Sequence, residues 1–261
     1  MATFQSGGFT LAYDDVRPEG GETGTVVLVH GFATNRAENW RRLGWLGAFE
    51  RKGWRAVALD LRGHGESDKP HEASAYARTA MAGDVIALMD RLDLRRVDLM
   101  GYSMGSHLAL SIALARGDRV ANLILGGVGA RMLTGGGPIR DGAMTMAQAM
   151  RTDDIASITE PTLRGFRQFA ENQGEDRLAL AACSEGHGAP ITADDLATLG
   201  VPTAVITGDR DEIAGDPRVL ADAIPGAKCV SLPACDHFGA IPHALFKAAA
   251  FDFLEGWLDE M

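Results

Sequence analysis

The most informative stretch of this chain is residues 97–115, VDLMGYSMGSHLALSIALA. A short apolar run, typical of a buried strand, leads into GYSMG (residues 101–105), and a helical pattern covers Met104–Ala115. In a G-x-S-x-G turn between a strand and a helix, the serine lies on a sharp backbone turn with its hydroxyl exposed above the sheet. The two glycines relieve crowding between the strand and helix backbones. The stretch therefore predicts a strand–turn–helix unit that presents Ser103 as a nucleophile.

Strand-like runs and helical patterns alternate on both sides of this unit. The runs are short and mostly β-branched or leucine-rich, which is typical of parallel strands buried on both faces. They are Thr25–Val29, Arg55–Leu59, Val97–Met100, Leu123–Leu125, Thr203–Ile206 and Lys228–Leu232. Helices are predicted at Glu38–Lys52, Thr79–Leu92, Met104–Ala115, Pro217–Ile224 and His243–Leu258. This alternation predicts an α/β fold, a doubly wound, mostly parallel sheet, with an antiparallel edge strand at Phe9–Asp14.

One region, residues 131–190, contains no strand-like run, only short helical pieces. Because a structureless loop of that length is implausible in a compact domain, we expect an inserted small helical cap there. The core would then comprise residues 1–130 and 191–261. The glycines of the run GGGP (residues 135–138) would form the entry to the cap.

The serine needs partners, since a hydroxyl is a weak nucleophile until a base removes its proton. A histidine and an orienting acid are therefore expected after Ser103, in loops beyond the carboxyl ends of strands. The loop after the run TAVI (residues 203–206) offers Asp209, Asp211 and Glu212. The loop after the last predicted strand contains His237.

These motifs, in this order, resemble the α/β-hydrolase superfamily. HGF (residues 30–32) follows the first parallel strand, where the family places half of its oxyanion hole. DLRGHGES (residues 60–67) is similar to the D-x-R-G-x-G-x-S loop of its small esterases and dehalogenases. GDRD (residues 208–211) matches G-x-x-D, and DHF (residues 236–238) stands where the family usually has G-H-F. The resemblance covers residues 9–130 and 191–261.

The resemblance implies a role for each matched residue. Ser103 would attack an acyl carbon, His237 would accept its proton, and Asp211 would orient the imidazole. Asp209 is the competing acid, but the family spacing favours Asp211.

The resemblance also implies an oxyanion hole formed by the backbone N–H groups of Phe32 and Met104, the latter at a helix N-terminus. Two positions depart from the family pattern. Ser106 replaces a third glycine of the elbow, which is expected to loosen the packing slightly. Asp236 replaces the glycine before His237, which is expected to alter the hydrogen bonding of that histidine.

The implied reaction is hydrolysis of carboxylic esters of small to medium apolar acyl groups through an acyl-enzyme. Ser103 excludes the haloalkane dehalogenases and epoxide hydrolases of the superfamily, which need an aspartate at the elbow. An enol-lactone hydrolase, a cofactor-free perhydrolase and a C–C hydrolase remain alternatives on the same triad, although Met100 disfavours the last. A non-catalytic ligand receptor on this scaffold is the alternative from another class. Apolar pocket walls are predicted at Phe32, Met104, Met132, Met144, Phe166, Ile213 and Phe238.

Composition limits the partners. The chain has 261 residues, and 25 Lys+Arg against 35 Asp+Glu give a net charge of 25 − 35 = −10. Without a basic cluster, this charge argues against a nucleic acid or an anionic membrane as partner. Three cysteines cannot all pair and the N-terminus does not resemble a secretory signal, so a cytoplasmic location is expected. The motifs call for a small-molecule ester or lactone, with neither a metal nor a cofactor, and the oligomeric state stays open.

Overall fold

The alternating runs form one eight-stranded sheet in the computed structural model, which describes residues 2–133, 144–186 and 188–258. The strands lie in the order β1-β2-β4-β3-β5-β6-β7-β8. Their bounds are β1 Ala2–Ser6, β2 Phe9–Val16, β3 Gly24–Val29, β4 Trp54–Leu59, β5 Val97–Tyr102, β6 Val120–Gly126, β7 Thr203–Gly208 and β8 Lys228–Leu232. Strands β3 to β8 are parallel, and β1 and β2 are antiparallel. The predicted doubly wound α/β class is confirmed.

The predicted edge strand is antiparallel but does not form the edge. Strand β2 pairs with β4 on one side and with β1 on the other. The segment Ala2–Ser6 was not predicted as a strand, because only Phe4 of its side chains is buried and its alternation is therefore weak. β1 is thus the outer strand of the sheet.

Helices cover both faces of the sheet. Their bounds are α1 Trp45–Arg51, α2 Arg78–Arg91, α3 Met104–Ala115, α4 Met146–Arg151, α5 Pro161–Gln173, α6 Arg177–Ser184, α7 Ala193–Ala197, α8 Pro217–Asp222 and α9 Ala244–Leu254. Short 3₁₀ turns occur at Ala73–Tyr76, Gly117–Arg119, Ala130–Met132 and Ile155–Ser157, and a π-helical turn at Ala37–Arg41. Within the described ranges, none of these helices is long and apolar enough to cross a membrane.

The two-residue period of the strands divides their side chains between two cores. Along β3, Val27 and Val29 pack with α2, α3 and α8, whereas Val26 and Leu28 pack with α1 and α9. Every one of these side chains is fully buried, which explains the continuous apolar runs in the sequence.

The predicted helix Glu38–Lys52 is interrupted. Its first part is the π-helical turn, and Gly44, with φ +73°, separates it from α1. A left-handed residue cannot continue a right-handed helix, and glycine adopts that conformation without steric cost. Asn39 and Trp40 of the π-helical turn are buried ahead of this break.

Three helices, α4 to α6, occupy the region predicted as the cap. Their apolar faces meet in a separate cluster that includes Met146, Met150, Leu163 and Phe166 and extends to Ala33 of the core. A polar contact also links this region to the core, because the buried carboxylate of Glu175 accepts hydrogen bonds from core loops. The cap boundaries at residues 131 and 190 stay a proposal. The predicted entry at residues 135–138 lies outside the described residues.

Candidate active site

The serine elbow forms where β5 meets α3. Ser103 has φ +52° and ψ −114°, a strained conformation for a residue with a side chain. A Cβ on Gly101 would lie closer than 3.0 Å to the backbone of Gly105. A Cβ on Gly105 would in turn overlap the carbonyl oxygen of Val29 on β3. Both glycines are therefore required by close backbone approach, which holds Ser103 at the carboxyl end of the sheet.

Ser106 has a structural function that explains why the third glycine is dispensable. It is fully buried, and its hydroxyl donates a 2.8 Å hydrogen bond to the carbonyl oxygen of Gly126 at the end of β6. The same carbonyl accepts a 2.8 Å hydrogen bond from the backbone N–H of Ser103. The expected loosening is therefore opposed by a bond that ties α3 to the neighbouring strand.

Three side chains from separate strand ends form a continuous hydrogen-bonded chain. His237 Nε2 lies 2.9 Å from Ser103 Oγ, and His237 Nδ1 lies 2.7 Å from Asp211 Oδ2. The carboxylate can only accept, so the Nδ1–H donates to it and the Nε2 lone pair faces the serine hydroxyl. This tautomer is the one in which imidazole can accept a proton from the serine.

The two candidate acids occupy different positions. The Oδ1 atom of Asp211 accepts backbone hydrogen bonds from Ile213 at 3.0 Å and Ala214 at 2.9 Å, which leaves Oδ2 for the imidazole. Asp209 is exposed, and its carboxylate accepts a 3.2 Å hydrogen bond from the backbone N–H of Cys235. Asp211 therefore contacts the imidazole of His237, whereas Asp209 binds the backbone of the loop that carries His237.

The unusual Asp236 turns away from the imidazole. Its Oδ1 atom accepts hydrogen bonds from the backbone N–H groups of Phe238 at 3.1 Å and Gly239 at 2.8 Å. The carbonyl oxygen of His237 accepts a hydrogen bond from the hydroxyl of Tyr102, whose pKa burial raises well above its usual value. These contacts order the turn around His237 from both sides, and Asp236 makes no hydrogen bond with the ring.

The predicted oxyanion donors flank the serine. Neither the backbone N–H of Phe32 nor that of Met104 donates to any group in the described part of the chain. Gly31 brings the Phe32 turn close to the elbow, because a Cβ on Gly31 would lie 3.5 Å from Ser103 Cβ. The buried His30 holds this turn, with Nδ1 2.7 Å from Gly31 O and Nε2 accepting from the N–H of Leu61 at 3.0 Å. Burial and the neighbouring His64 lower the pKa of His30, so its ring is neutral.

A cavity of about 210 Å³ opens beside the serine. Ligand pockets commonly measure roughly 300–1,000 Å³, so this one suits a small substrate. Its described lining is Gly31, Phe32, Thr34, Glu38, Asn39, Leu43, Tyr102, Ser103, Phe166, Phe169, Gln173, His237, Phe238, Ile241 and Pro242. Among these residues none is Lys or Arg, and Glu38 carries a carboxylate that pairs with Arg42 at 3.1 Å. The described lining is therefore mainly aromatic and aliphatic, and none of its side chains is a Lys or Arg that could pair with an anionic substrate.

Three of the predicted pocket walls line this cavity. Phe166 of α5 packs at ring distances of 5.9 Å from Phe32 and 5.4 Å from Phe238, and Phe169 lies 5.5 Å from Phe238. Helix α5 thus closes one side of the cavity over the histidine loop.

The other predicted walls lie elsewhere. Met132 is buried in the main core under the sheet, where it packs with α8 and its neighbours. Met144 and Ile213 pack against the cluster of the cap helices instead of lining the cavity. The side chain of Met104 points to the core side, with its Sδ atom 3.8 Å from Cys183 Sγ. None of these four residues belongs to the described lining of this cavity, because apolar character marks a residue for burial and does not indicate which buried space it fills.

The polar part of the lining was not predicted from the sequence. Thr34, Asn39 and Gln173 come from the loop after β3, the π-helical turn and the end of α5. The π-helical turn has no simple sequence signature, and α5 is brought to the site by cap packing. Among the lining residues that were not predicted, Gly31 and Tyr102 lie inside the motifs HGF and GYSMG and so had a sequence signal.

Comparison with known proteins agrees with this architecture. The profile of the alpha/beta hydrolase fold matches residues 24–135. The 2-hydroxy-6-oxononadienedioate/2-hydroxy-6-oxononatrienedioate hydrolase of Cupriavidus pinatubonensis is 30% identical over 260 residues, which cover 88% of this chain and 86% of that protein. The chain spans only part of two other curated relatives. It covers 41% of a putative 2-succinyl-6-hydroxy-2,4-cyclohexadiene-1-carboxylate synthase of Bacillus subtilis and 60% of the dihydrolipoyllysine-residue acetyltransferase component of the acetoin cleaving system of Pseudomonas putida.

Solved structures show the same fold. The enol-lactonase from Burkholderia xenovorans LB400 superposes with a TM-score of 0.75 at 24% identity, covering 97% of this chain and 100% of its own. A thermophilic esterase from Thermogutta terrifontis superposes with a TM-score of 0.69 at 26% identity, covering 98% and 97%. With the elbow, the sheet order and a relative aligned over most of both chains, this protein is a member of the alpha/beta hydrolase family.

Proposed function

We propose that this alpha/beta hydrolase cleaves neutral carboxylic esters of small to medium, mostly apolar acyl groups through a serine-bound acyl-enzyme. The observation that carries the proposal is the hydrogen-bonded chain from Ser103 Oγ through His237 to Asp211, with distances of 2.9 and 2.7 Å. Ser103 and His237 of this hydrogen-bonded chain line a cavity whose described lining is mainly apolar. The similarity to a thermophilic esterase adds support.

In the proposed first step, Ser103 Oγ forms a bond to the acyl carbon while its proton passes to His237 Nε2. Asp211 stabilises the imidazolium that forms. The carbonyl oxygen becomes an oxyanion, and the N–H groups of Phe32 and Met104, which have no acceptor among the described residues, are the donors that would bind it. Interactions of this type are worth several kcal/mol in the transition state.

The intermediate then collapses. The bond from the acyl carbon to the alcohol oxygen breaks, and His237 returns the proton to that oxygen, so the alcohol leaves neutral. Water attacks the acyl-enzyme with His237 as base, and its proton is passed to Ser103 Oγ when the acid is released. Overall, one ester and one water give one acid and one alcohol.

A C–C hydrolase is the second candidate, because the relative aligned over 86% of its length is named for hydrolysis of an oxononadienedioate. A dioate carries two carboxylates. The described cavity lining contains Glu38 and neither Lys nor Arg, so none of these described residues would pair with either carboxylate. We therefore place the neutral ester first.

The test combines labelling with turnover. A fluorophosphonate probe should label the wild type and the Ser106→Ala variant, and it should fail to label Ser103→Ala. Hydrolysis of p-nitrophenyl alkanoates should show an optimum in chain length and depend on Ser103. Equal hydrolysis by wild type and Ser103→Ala would overturn the proposal. Faster turnover of a 2-hydroxy-6-oxodienedioate than of any neutral ester would favour the second candidate.

A further inference from the structure

A buried carboxylate of the cap region is bonded to the loop that carries a predicted oxyanion donor. Glu175 lies between α5 and α6 and is only 7% exposed. Its Oε1 atom accepts a 2.8 Å hydrogen bond from Asn35 Nδ2, and its Oε2 atom accepts a 2.9 Å hydrogen bond from the backbone N–H of Gly65. Asn35 ends the oxyanion turn, residues 31–35, which contains Phe32. One side chain of the cap region therefore holds this turn directly.

The oxyanion turn contains a strained residue. Ala33 has φ +60°, in the left-handed region that a residue with a Cβ seldom adopts. Such a conformation persists only where the surrounding structure holds it. Because Ala33 follows Phe32 directly, its relaxation would displace Phe32, whose N–H is the proposed oxyanion donor.

The turn is held from two sides. On the core side, His30 Nδ1 lies 2.7 Å from the carbonyl oxygen of Gly31. On the cap side, Ala33 is fully buried in the cluster of the cap helices, and Asn35 donates to Glu175. Apolar contacts are not directional, whereas a hydrogen bond prefers a narrow range of distance and angle. The bond to Glu175 is therefore the contact that fixes the far end of the turn.

Both donors to Glu175 are fixed in direction. Asn35 Oδ1 accepts the backbone N–H groups of Ala37 and Glu38, each at 3.0 Å, at the start of the π-helical turn. A flipped amide would set its NH₂ group against these two donors, so Nδ2 stays on Glu175. The donor of Gly65 belongs to the backbone and cannot become an acceptor. Position 175 therefore needs two acceptor atoms, which a carboxylate provides.

Resting on the proposed ester hydrolysis, we propose that Glu175 is a positioning residue that anchors the oxyanion turn to the cap region and keeps the Phe32 N–H directed at the developing oxyanion. Glu175 is not part of the described cavity lining, so it acts through Asn35 and the strained turn. The seating of α5, which closes one side of the cavity, and the alignment of the oxyanion donor are thereby coupled through one carboxylate.

The first test removes one acceptor. In Glu175→Gln the amide oxygen can serve one donor, and the NH₂ group must face the other. The kcat/KM of p-nitrophenyl butanoate should fall by about 10- to 100-fold, because a misplaced oxyanion donor loses much of its effect.

A second variant restores the pairing. In the double variant Asn35→Asp/Glu175→Gln, the NH₂ group at position 175 can donate to the carboxylate at position 35, while the amide oxygen accepts from Gly65 N–H. Both bonds are then possible again, and most of the lost kcat/KM should return.

A pair of ketones separates alignment of the donor from the shape of the cavity. An alkyl trifluoromethyl ketone forms a bond from its carbonyl carbon to Ser103 Oγ, the serine proton passes to His237 Nε2, and the ketone oxygen becomes an oxyanion. Its inhibition constant should rise in Glu175→Gln by about the factor lost from kcat/KM. The methyl ketone with the same alkyl chain adds nucleophiles far less readily, so its inhibition constant should stay within about threefold of the wild-type value.

Asp176→Asn is the matched control beside Glu175. Asp176 Oδ2 contacts His71 Nε2 at 3.0 Å, a link between the cap region and the core that does not include the oxyanion turn. Its Oδ1 atom accepts from the N–H groups of Leu178 and Ala179 at the start of α6, which asparagine can also do. This variant should keep kcat/KM within about threefold of the wild type.

The outcomes are distinct. A folded Glu175→Gln with unchanged kcat/KM overturns the inference, and so does an equal loss of affinity for both ketones or an equal loss of kcat/KM in Asp176→Asn. If Glu175→Gln does not fold, the double variant decides, because restored pairing predicts a folded and active protein; an unfolded or inactive double variant overturns the inference. Absence of Ser103-dependent turnover of every ester overturns the proposed function alone, since the two ketones still measure the role of Glu175.

Discussion

Replacing Asp211 by asparagine should lower kcat for ester hydrolysis by about 10³- to 10⁴-fold, equivalent to about 4–5.5 kcal/mol. The carboxylate accepts three hydrogen bonds, two on Oδ1 from backbone N–H groups and one on Oδ2 from His237. An asparagine has one acceptor oxygen, and the two N–H groups of Ile213 and Ala214 retain it. Its NH₂ group must then face His237 Nδ1.

This arrangement reverses the tautomer. With an N–H donor opposite, Nδ1 becomes an acceptor, and the ring proton moves to Nε2, where it faces Ser103 and blocks proton transfer. Rotating the amide to restore the productive tautomer would break two backbone hydrogen bonds at about 1 kcal/mol each and set two donors against the N–H groups. The imidazolium also loses its counter-charge, which accounts for the rest of the expected loss.

The assay measures kcat with a p-nitrophenyl ester, together with thermal unfolding of each variant. Because Asn retains both backbone bonds, Asp211→Asn should unfold within a few degrees of the wild type. The matched control is Asp209→Asn, which keeps an acceptor for Cys235 N–H and should stay within about threefold in kcat. A loss below tenfold in Asp211→Asn, or an equal loss in Asp209→Asn, would refute the assignment of Asp211.

Three further changes test other parts of the structure. Gly105→Ala should prevent folding, because its Cβ would overlap the carbonyl oxygen of a strand. The control Gly83→Ala in α2, which has open space around the Cβ site, should raise the free energy of unfolding by about 0.5–1 kcal/mol. A soluble, native-like Gly105→Ala variant would contradict this account of the elbow. Burial lowers the pKa of His64 to about 4, so the stability contributed by its neutral form is present above pH 6.5 and is lost as the pH falls toward 4. Over this range, urea unfolding should show that the free energy of unfolding of His64→Asn falls by about 3 kcal/mol less than that of the wild type. Parallel pH curves for the two proteins would contradict this expectation. Tyr102→Phe removes the hydroxyl that donates to the carbonyl oxygen of His237, and it should lower kcat several-fold with KM nearly unchanged; a change in KM alone would assign Tyr102 to substrate binding.

Local signals made most of the fold predictable. The apolar strands, the helix Met104–Ala115 and the elbow depend on contacts between residues close in sequence or on a two-residue period, so their patterns are readable without coordinates. Strand β1 and the break at Gly44 carry no such pattern, because β1 is largely exposed and the break depends on a single backbone conformation.

The candidate site also combines features that the sequence predicts with features that depend on tertiary structure. The motifs and the family resemblance that they carry favoured Ser103, His237 and Asp211, which the fold then brings within hydrogen-bond distance at the carboxyl end of the sheet. Asp209 and Asp211 differ by only two positions, and it is the turn after β7 that directs one carboxylate to the imidazole and the other to a backbone N–H.

The sequence by itself determined the sheet, the elbow and the order of the reactive residues, because these follow from chain geometry over short distances. Only the tertiary structure decided the cavity. Its lining combines the turn around Asn39, helix α5 of the cap region and the loop after His237, three segments separated by more than sixty residues. The packing of the cap helices decides which apolar side chains face the cavity and which fill the core. It thereby placed Phe169 at the site and Met132 in the interior.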